Sequence, residues 1–156
     1  MAVARVHVRS WQVAYRGMLP DEYLDGLRPQ DRALMYHFAD PDPFKPHTIV
    51  ATDSASILGF ATASKAREQA MTGYGELSAL YVDPDHWNRG IGRGLIAAAR
   101  ARLVDIGFRN ALLWILKGNT RADRFYRSDG WLPSARYRTE VVWSIVMEEL
   151  QYIRGL

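Results

Sequence analysis

A chain of 156 residues, 48% hydrophobic and 24% charged, carries the apolar material for one ordinary core and leaves no room for a second domain. The absence of cysteine excludes disulfides, thiolate metal sites and a cysteine nucleophile, and makes a reducing cytoplasm the expected compartment. No apolar run approaches the roughly 18 residues of a membrane span and no charged-then-apolar leader is visible, so neither export nor membrane insertion is expected; the net charge of +3 comes from arginines spread along the chain, a solvated surface rather than a nucleic-acid stripe.

Val3, Val6, Trp11, Ala14 and Tyr15 recur at helical spacing, which predicts a first helix across Val3 to Met18, with Gly17 and Pro20 as its stop. Asp31 to Phe38 reads as a second helix, ended by Asp40-Pro41-Asp42-Pro43. His47 to Thr52 and Ile57 to Ser64 read as two strands joined by the turn Asp53-Ser54-Ala55-Ser56, a hairpin. Arg67 to Thr72 is a polar loop, and Gly73-Tyr74-Gly75 leads into a central strand beginning at Glu76. Asp83-Pro84-Asp85 stops that strand, because proline cannot donate to a ladder.

Gly90, Gly92 and Gly94 crowd the start of the next helix, whose apolar face is Ile91, Leu95, Ile96, Ala99, Leu103 and Ile106. Glycines at the mouth of a helix admit another molecule close to the backbone and leave the first N–H groups free for an anion, of which phosphate is the natural example. The same residues also fit a tight turn that merely lets the helix pack on a sheet. Two familiar phosphate loops do not fit: there is no Gly-Lys-Ser/Thr, and the third glycine comes too early for Gly-x-Gly-x-x-Gly. Downstream, Ala111 to Leu116 suits a strand buried on both faces and parallel to the central one, since a helix connects them. Asn119 or Thr120 can cap a helix bearing Phe125 and Tyr126 and ending at Gly130, and Tyr137 to Val142 with Ile145 to Ile153 form a terminal hairpin. His7, His37, His47 and His86 stand alone, and Asp83, Asp85 and His86 make a turn more readily than a ligand set, so no metal is expected.

Arg89-Gly90-Ile91-Gly92-Arg93-Gly94-Leu95, preceded by Leu80-Tyr81-Val82-Asp83-Pro84 and followed by Asn119-Thr120-Arg121-Ala122-Asp123-Arg124-Phe125-Tyr126 and Asp129-Gly130-Trp131, resembles the GNAT superfamily of acetyl-coenzyme-A-dependent N-acetyltransferases. The likeness runs from about His7 to Arg154. It implies one α/β (α+β) domain over residues 1–156, with a mixed, mostly antiparallel central sheet flanked by helices on both faces. It also implies acetyl-coenzyme A as co-substrate and direct transfer to a primary amine in a ternary complex. The loop from Arg89 to Gly94 would hold the cofactor pyrophosphate, and the backbone of Leu80, Tyr81 and Val82 the pantetheine and thioester. Asn119 would be a further cofactor contact and Tyr126 the general acid for the departing thiolate. In relatives with a glutamate base on the central strand, that residue stands fourteen positions before the first loop glycine, where this chain has Glu76; desolvation on an apolar strand would suit a carboxylate to that role. Trp11 and Tyr15 fall on the helix and loop that wall the acceptor pocket in relatives, and core packing is their alternative reading.

The chain departs from the family pattern in two places. Trp87 stands where the loop signature has Gln or Arg, which removes one side-chain contact to the cofactor. The sequence also opens almost inside its first helix, where relatives open with a strand. Either the native start lies upstream of Met1, or the sheet lacks that strand and its bare edge is short, covered or paired in a homodimer. Trp114, five residues before Asn119, occupies the position of the glutamate of the ribosomal-protein amino-terminal alanine type, and an indole cannot serve as that base. A small-molecule amine is therefore the expected acceptor. A protein amino terminus or lysine, and a non-catalytic acyl-coenzyme-A sensing domain, are the alternatives.

Overall fold

A computed structural model of the chain describes residues 1–36, 38 and 40–156. Helix α1 (Ala2–Ala14) buries Val3, Ala4, His7, Ser10 and Trp11, residues three and four apart that line one face. It ends at Ala14, a turn earlier than its pattern predicts, because Tyr15 caps it and Gly17 takes a left-handed φ of 77° that no helix continues through. A short helix α2 (Asp21–Gly26) occupies what reads as loop, with Pro20 before it and Asp21 and Glu22 in its first turn. Helix α3 (Pro29–Ala33) is shorter than the helix read over Asp31 to Phe38, and His37 in that span lies outside the described residues. Leu34 and Met35, which would have carried it further, are 79% and 67% exposed. An apolar pattern without a surface to pack on does not sustain a helix.

The sheet comprises β1 (His47–Thr52), β2 (Ile57–Lys65), β3 (Gly75–Val82), β4 (Asn110–Leu116), β5 (Leu132–Val142) and β6 (Ile145–Gly155), in the order β1-β2-β3-β4-β6-β5. Only β3 and β4 run parallel, as the connection through α4 (Ile91–Asp105) requires. The sheet is thus mixed and mostly antiparallel. Helix α4 and α5 (Thr120–Ser128) cover one face, where Leu95, Ile96, Ala99, Leu103 and Tyr126 meet Ala61, Leu77, Leu113 and Trp131. On the other face Val3 and Val6 of α1 pack on Phe60, while Trp11 and Tyr15 pack with Leu116 and Met147.

Two irregularities shape the middle of the sheet. Ala63 pairs with Leu77 and Thr62 with Ala79, so Ser78 is an extra residue that bends β3. Beyond it β3 leaves its parallel neighbour: pairing with β4 is confined to Gly75/Ala111, Glu76/Leu112 and Leu77/Leu113. Each strand meanwhile stays paired on its outer side, β3 with β2 as far as Val82 and β4 with β6 as far as Leu116. A wedge-shaped opening results, with Ser78 to Val82 on one side and Trp114 to Leu116 on the other.

Candidate active site

The opening continues into a cleft of about 580 Å³, lined by both of its strand edges, by Gly90 to Arg93, and by Asn119, Arg121, Ala122, Phe125 and Tyr126. Asp83 stops β3 and accepts a bond from the Asp85 amide, starting a 3-10 turn over Pro84–His86. Arg9 of α1 grips this turn through both carboxylates, at 2.8 Å to Asp83 and 2.7 Å to Asp85, and so fixes the loop that follows. Gly90 is the N-cap of α4 with φ 79°, a left-handed conformation glycine adopts without strain, and no side chain caps the helix. The amides of Ile91, Gly92 and Arg93 are therefore the unpaired donors of the first turn, all three residues on the cleft wall. A cofactor pyrophosphate fits this donor set. Gly94 lies outside it, because its amide already donates to the Gly90 carbonyl at 3.1 Å; Arg89 is exposed and off the wall. A Cβ on Gly92 would stand 3.3 Å from the Phe125 ring, so this glycine also serves the packing of α4 on α5.

Trp87 is not idle at its departure from the family signature. Its Nε1 donates to the Val82 carbonyl at 2.8 Å, and the Arg121 guanidinium lies 3.3 Å from its ring centroid. The Ser10 hydroxyl donates to the same carbonyl at 3.0 Å, which fills both lone pairs and leaves Val82 no carbonyl for a ligand. Arg121 and Arg93 put positive charge on the wall beside the helix start. Neither Ser10 nor Arg121 stands out in the sequence as a site residue, and the Arg121–Trp87 pair, a cation over an indole, is visible only once α5 and the loop are in register.

Tyr126 is buried, faces the cleft, and its hydroxyl is pushed well above its ordinary value by desolvation, with Tyr81 adding to the effect. It therefore keeps its proton at neutral pH. Asn119 also lines the cleft, and its side chain accepts the Ala122 amide at 3.0 Å as the N-cap of α5. Leu80 and Tyr81 are on the wall, and so is Tyr15. Trp11 is not: it is buried between Tyr15 and Trp143, with which it stacks at 4.1 Å. Glu76 is likewise not brought to the cleft. It is 2% exposed, it sits where β3 and β4 are still paired, and its two oxygens accept from the Arg67 amide at 3.0 Å and the Arg67 guanidinium at 3.3 Å. His7 stacks on Tyr81 at 4.3 Å behind this wall, and burial, aided by the Arg32 charge, holds its imidazole well below the ordinary value. Among the described residues no group of three His, Asp or Glu could hold a metal ion, and no helix is long and apolar enough to cross a membrane.

The sequence profile of the Acetyltransferase (GNAT) family matches residues 8–131. The chain is 28% identical over 120 residues to the uncharacterized N-acetyltransferase YuaI of Bacillus subtilis (strain 168), a match covering 75% of this chain and 66% of that one. It is 35% identical over 69 residues to the mycothiol acetyltransferase of Geodermatophilus obscurus, covering 44% of this chain and 21% of that one. It thus spans less than two thirds of the length of these relatives. Among solved structures, the PaiA N-acetyltransferase of Thermoplasma acidophilum in complex with coenzyme A superposes with a TM-score of 0.70 at 16% identity, over 99% of this chain and 91% of that one.

Proposed function

Because the chain belongs to the Acetyltransferase (GNAT) family, we propose that it moves the acetyl group of acetyl-coenzyme A to a primary amine of a small molecule, by direct transfer at the opening between β3 and β4. One observation carries this reading. A single cleft joins an uncapped helix start to an unpaired strand edge and then to a buried, protonated tyrosine. The helix start suits the pyrophosphate and the strand edge of β3 suits the amides of the pantetheine arm. Tyr126 stands where the sulfur would lie beyond them. The cleft residues also fit the co-substrate by charge, through Arg93 and Arg121.

The acceptor arrives as an ammonium and gives one proton to solvent, and the neutral nitrogen then attacks the thioester carbon. As the C–N bond forms and the C–S bond breaks, the thiolate takes the hydroxyl proton of Tyr126. The second proton leaving nitrogen restores Tyr126 through water, so the balance is amide, free thiol and one released proton. Glu76 is given no step here, since Arg67 engages both its oxygens. A small acceptor is favoured over a protein amino terminus by Trp114, which stands in the cleft wall where the ribosomal-protein type carries its glutamate.

The test is calorimetry with coenzyme A followed by thiol release from acetyl-coenzyme A with a panel of amines. Binding with amine-dependent thiol release is the expected result. Binding without release for any amine makes the chain an acyl-coenzyme-A sensing domain, and absence of binding ends the reading altogether.

A further inference from the structure

The cleft wall holds a cation that has no anion. Arg121, the second residue of α5, carries its guanidinium 3.3 Å from the centroid of the Trp87 ring, and both residues line the cleft. The indole is itself fixed, because its Nε1 donates to the Val82 carbonyl at the end of β3. Arg100 of α4 and Arg127 of α5, by contrast, hold carboxylates, Asp129 at 3.1 Å and Asp123 at 2.7 Å. Among the described residues Arg121 forms no ion pair and donates no side-chain hydrogen bond, and partial burial is the one cause acting on its pKa, which it lowers. A guanidinium laid on an aromatic ring loses water from that face and keeps the N–H donors of its fork, which pair best with the oxygens of an anion.

The place of Arg121 in the fold says which anion. Phe125 stands four residues further along α5 and so shares a face with Arg121. The Phe125 ring is what a Cβ on Gly92 would meet at 3.3 Å, so this face of α5 is applied to the first turn of α4. That turn has no acidic residue and no side-chain cap, and its amides at Ile91, Gly92 and Arg93 face the cleft. Two kinds of donor from two helices therefore meet on one wall, backbone N–H groups from α4 and a charged fork from α5. A ligand with several phosphate oxygens and more than one negative charge engages both at once, whereas a single carboxylate has too few oxygens to do so.

We propose that Arg121, propped on the Trp87 ring, is the side chain that grips the pyrophosphate of coenzyme A against the start of α4. The proposal rests on the transferase reading above. Trp87 is a positioning residue in this arrangement: its ring holds the guanidinium in place and makes no contact with the phosphates.

The experiment is calorimetry on the full chain with coenzyme A and with dephospho-coenzyme A, which keeps the pyrophosphate and lacks the 3′-phosphate. Arg121→Ala should weaken both ligands alike, roughly tenfold to a hundredfold, the range of a charged hydrogen bond. Arg124→Ala removes the same charge from an exposed position of the same helix away from the cleft, and should change neither affinity. Trp87→Leu and Trp87→Phe both lose the Nε1 bond, but only phenylalanine keeps a π face. Trp87→Leu should therefore bind coenzyme A roughly twofold to fivefold more weakly than Trp87→Phe, as an exposed cation–π contact predicts. In an Arg121→Ala background that difference should vanish. Unchanged affinity in Arg121→Ala overturns the proposal, as does an equal loss in Arg124→Ala, which makes the effect one of overall charge. A loss seen with coenzyme A and absent with dephospho-coenzyme A overturns it by moving Arg121 to the 3′-phosphate. A Leu-to-Phe difference that persists without Arg121 overturns the role of Trp87. Wild type that binds no coenzyme A ends the transferase reading as well, whereas wild-type binding that Arg121→Ala leaves intact ends this assignment alone.

Discussion

The two walls of the cleft are made in different ways. On the α4 side the ligand-facing groups are backbone: amides of Ile91, Gly92 and Arg93 at a helix start and the loosened edge of β3, with Tyr126 as the one reactive side chain. On the α1 side they are side chains from distant parts of the chain, Tyr15, Trp114 and Leu116, held by packing against α1 and by the Arg138 guanidinium over the Trp114 ring. A backbone site is set by glycine and strand positions and tolerates change in the side chains around it. A side-chain site can be altered residue by residue without disturbing the fold, which is how one scaffold keeps a co-substrate while changing acceptors.

That contrast can be broken most forcefully at Tyr126. Tyr126→Phe removes the proton donor and keeps the ring, so thiol release should fall by roughly 10²–10⁴-fold while coenzyme A affinity stays near wild type. An unchanged rate would return Tyr126 to packing alone. A smaller effect is expected at Gly90, where alanine must adopt φ near 79° at a cost of about 1–2 kcal/mol. With open space around its Cβ, Gly90→Ala should fold and bind coenzyme A roughly tenfold more weakly. Wild-type affinity in calorimetry would show that the helix start is not the anion site.

The smallest effect concerns the α1 side and pH. Burial and Arg32 hold His7 below its unfolded value of about 6.5, so folding favours its neutral form. The stability it contributes is present above that value and is lost as pH falls beneath it, by at most about 1.4 kcal/mol per pH unit. Urea unfolding between pH 7 and pH 5 should therefore show a steeper acid loss in wild type than in His7→Phe. Parallel slopes would remove the histidine from the acid response.

The same division explains what the sequence reveals. Strands β1 to β4, the long helix α4 and the Asn119 cap announce themselves through alternation, proline stops and glycine clusters, all local signals. The α4 wall of the cleft follows from them because it is made of the same local backbone. Two errors of extent have different causes: α1 ends at Ala14 because Gly17 turns left-handed although Tyr15 is still buried, and α3 ends at Ala33 because apolar spacing continues but packing does not, as the exposure of Leu34 shows. On β6 Glu148 and Glu149 are adjacent and alike in sequence, yet one is exposed beside Lys117 and the other buried beside Arg138. Only the register of β6 against β4 separates them. Glu76 was legible by its interval from Gly90, but nothing local indicated that Arg67 would claim it.

The wedge between β3 and β4 also makes the sheet a mechanical object. Strands β1, β2 and β3 form one panel and β4, β6 and β5 another, and the two panels are stitched by three residue pairs at one end. Each panel is stiff along its own ladders, whereas the seam between them resists only through that short row of bonds. Load applied across the sheet concentrates at Leu77 and Leu113, the last stitch, so the width of the cleft can flex while both panels keep their shape. A molecule lodged in the wedge and bonded to both edges would act as a splint, turning two panels into one plate.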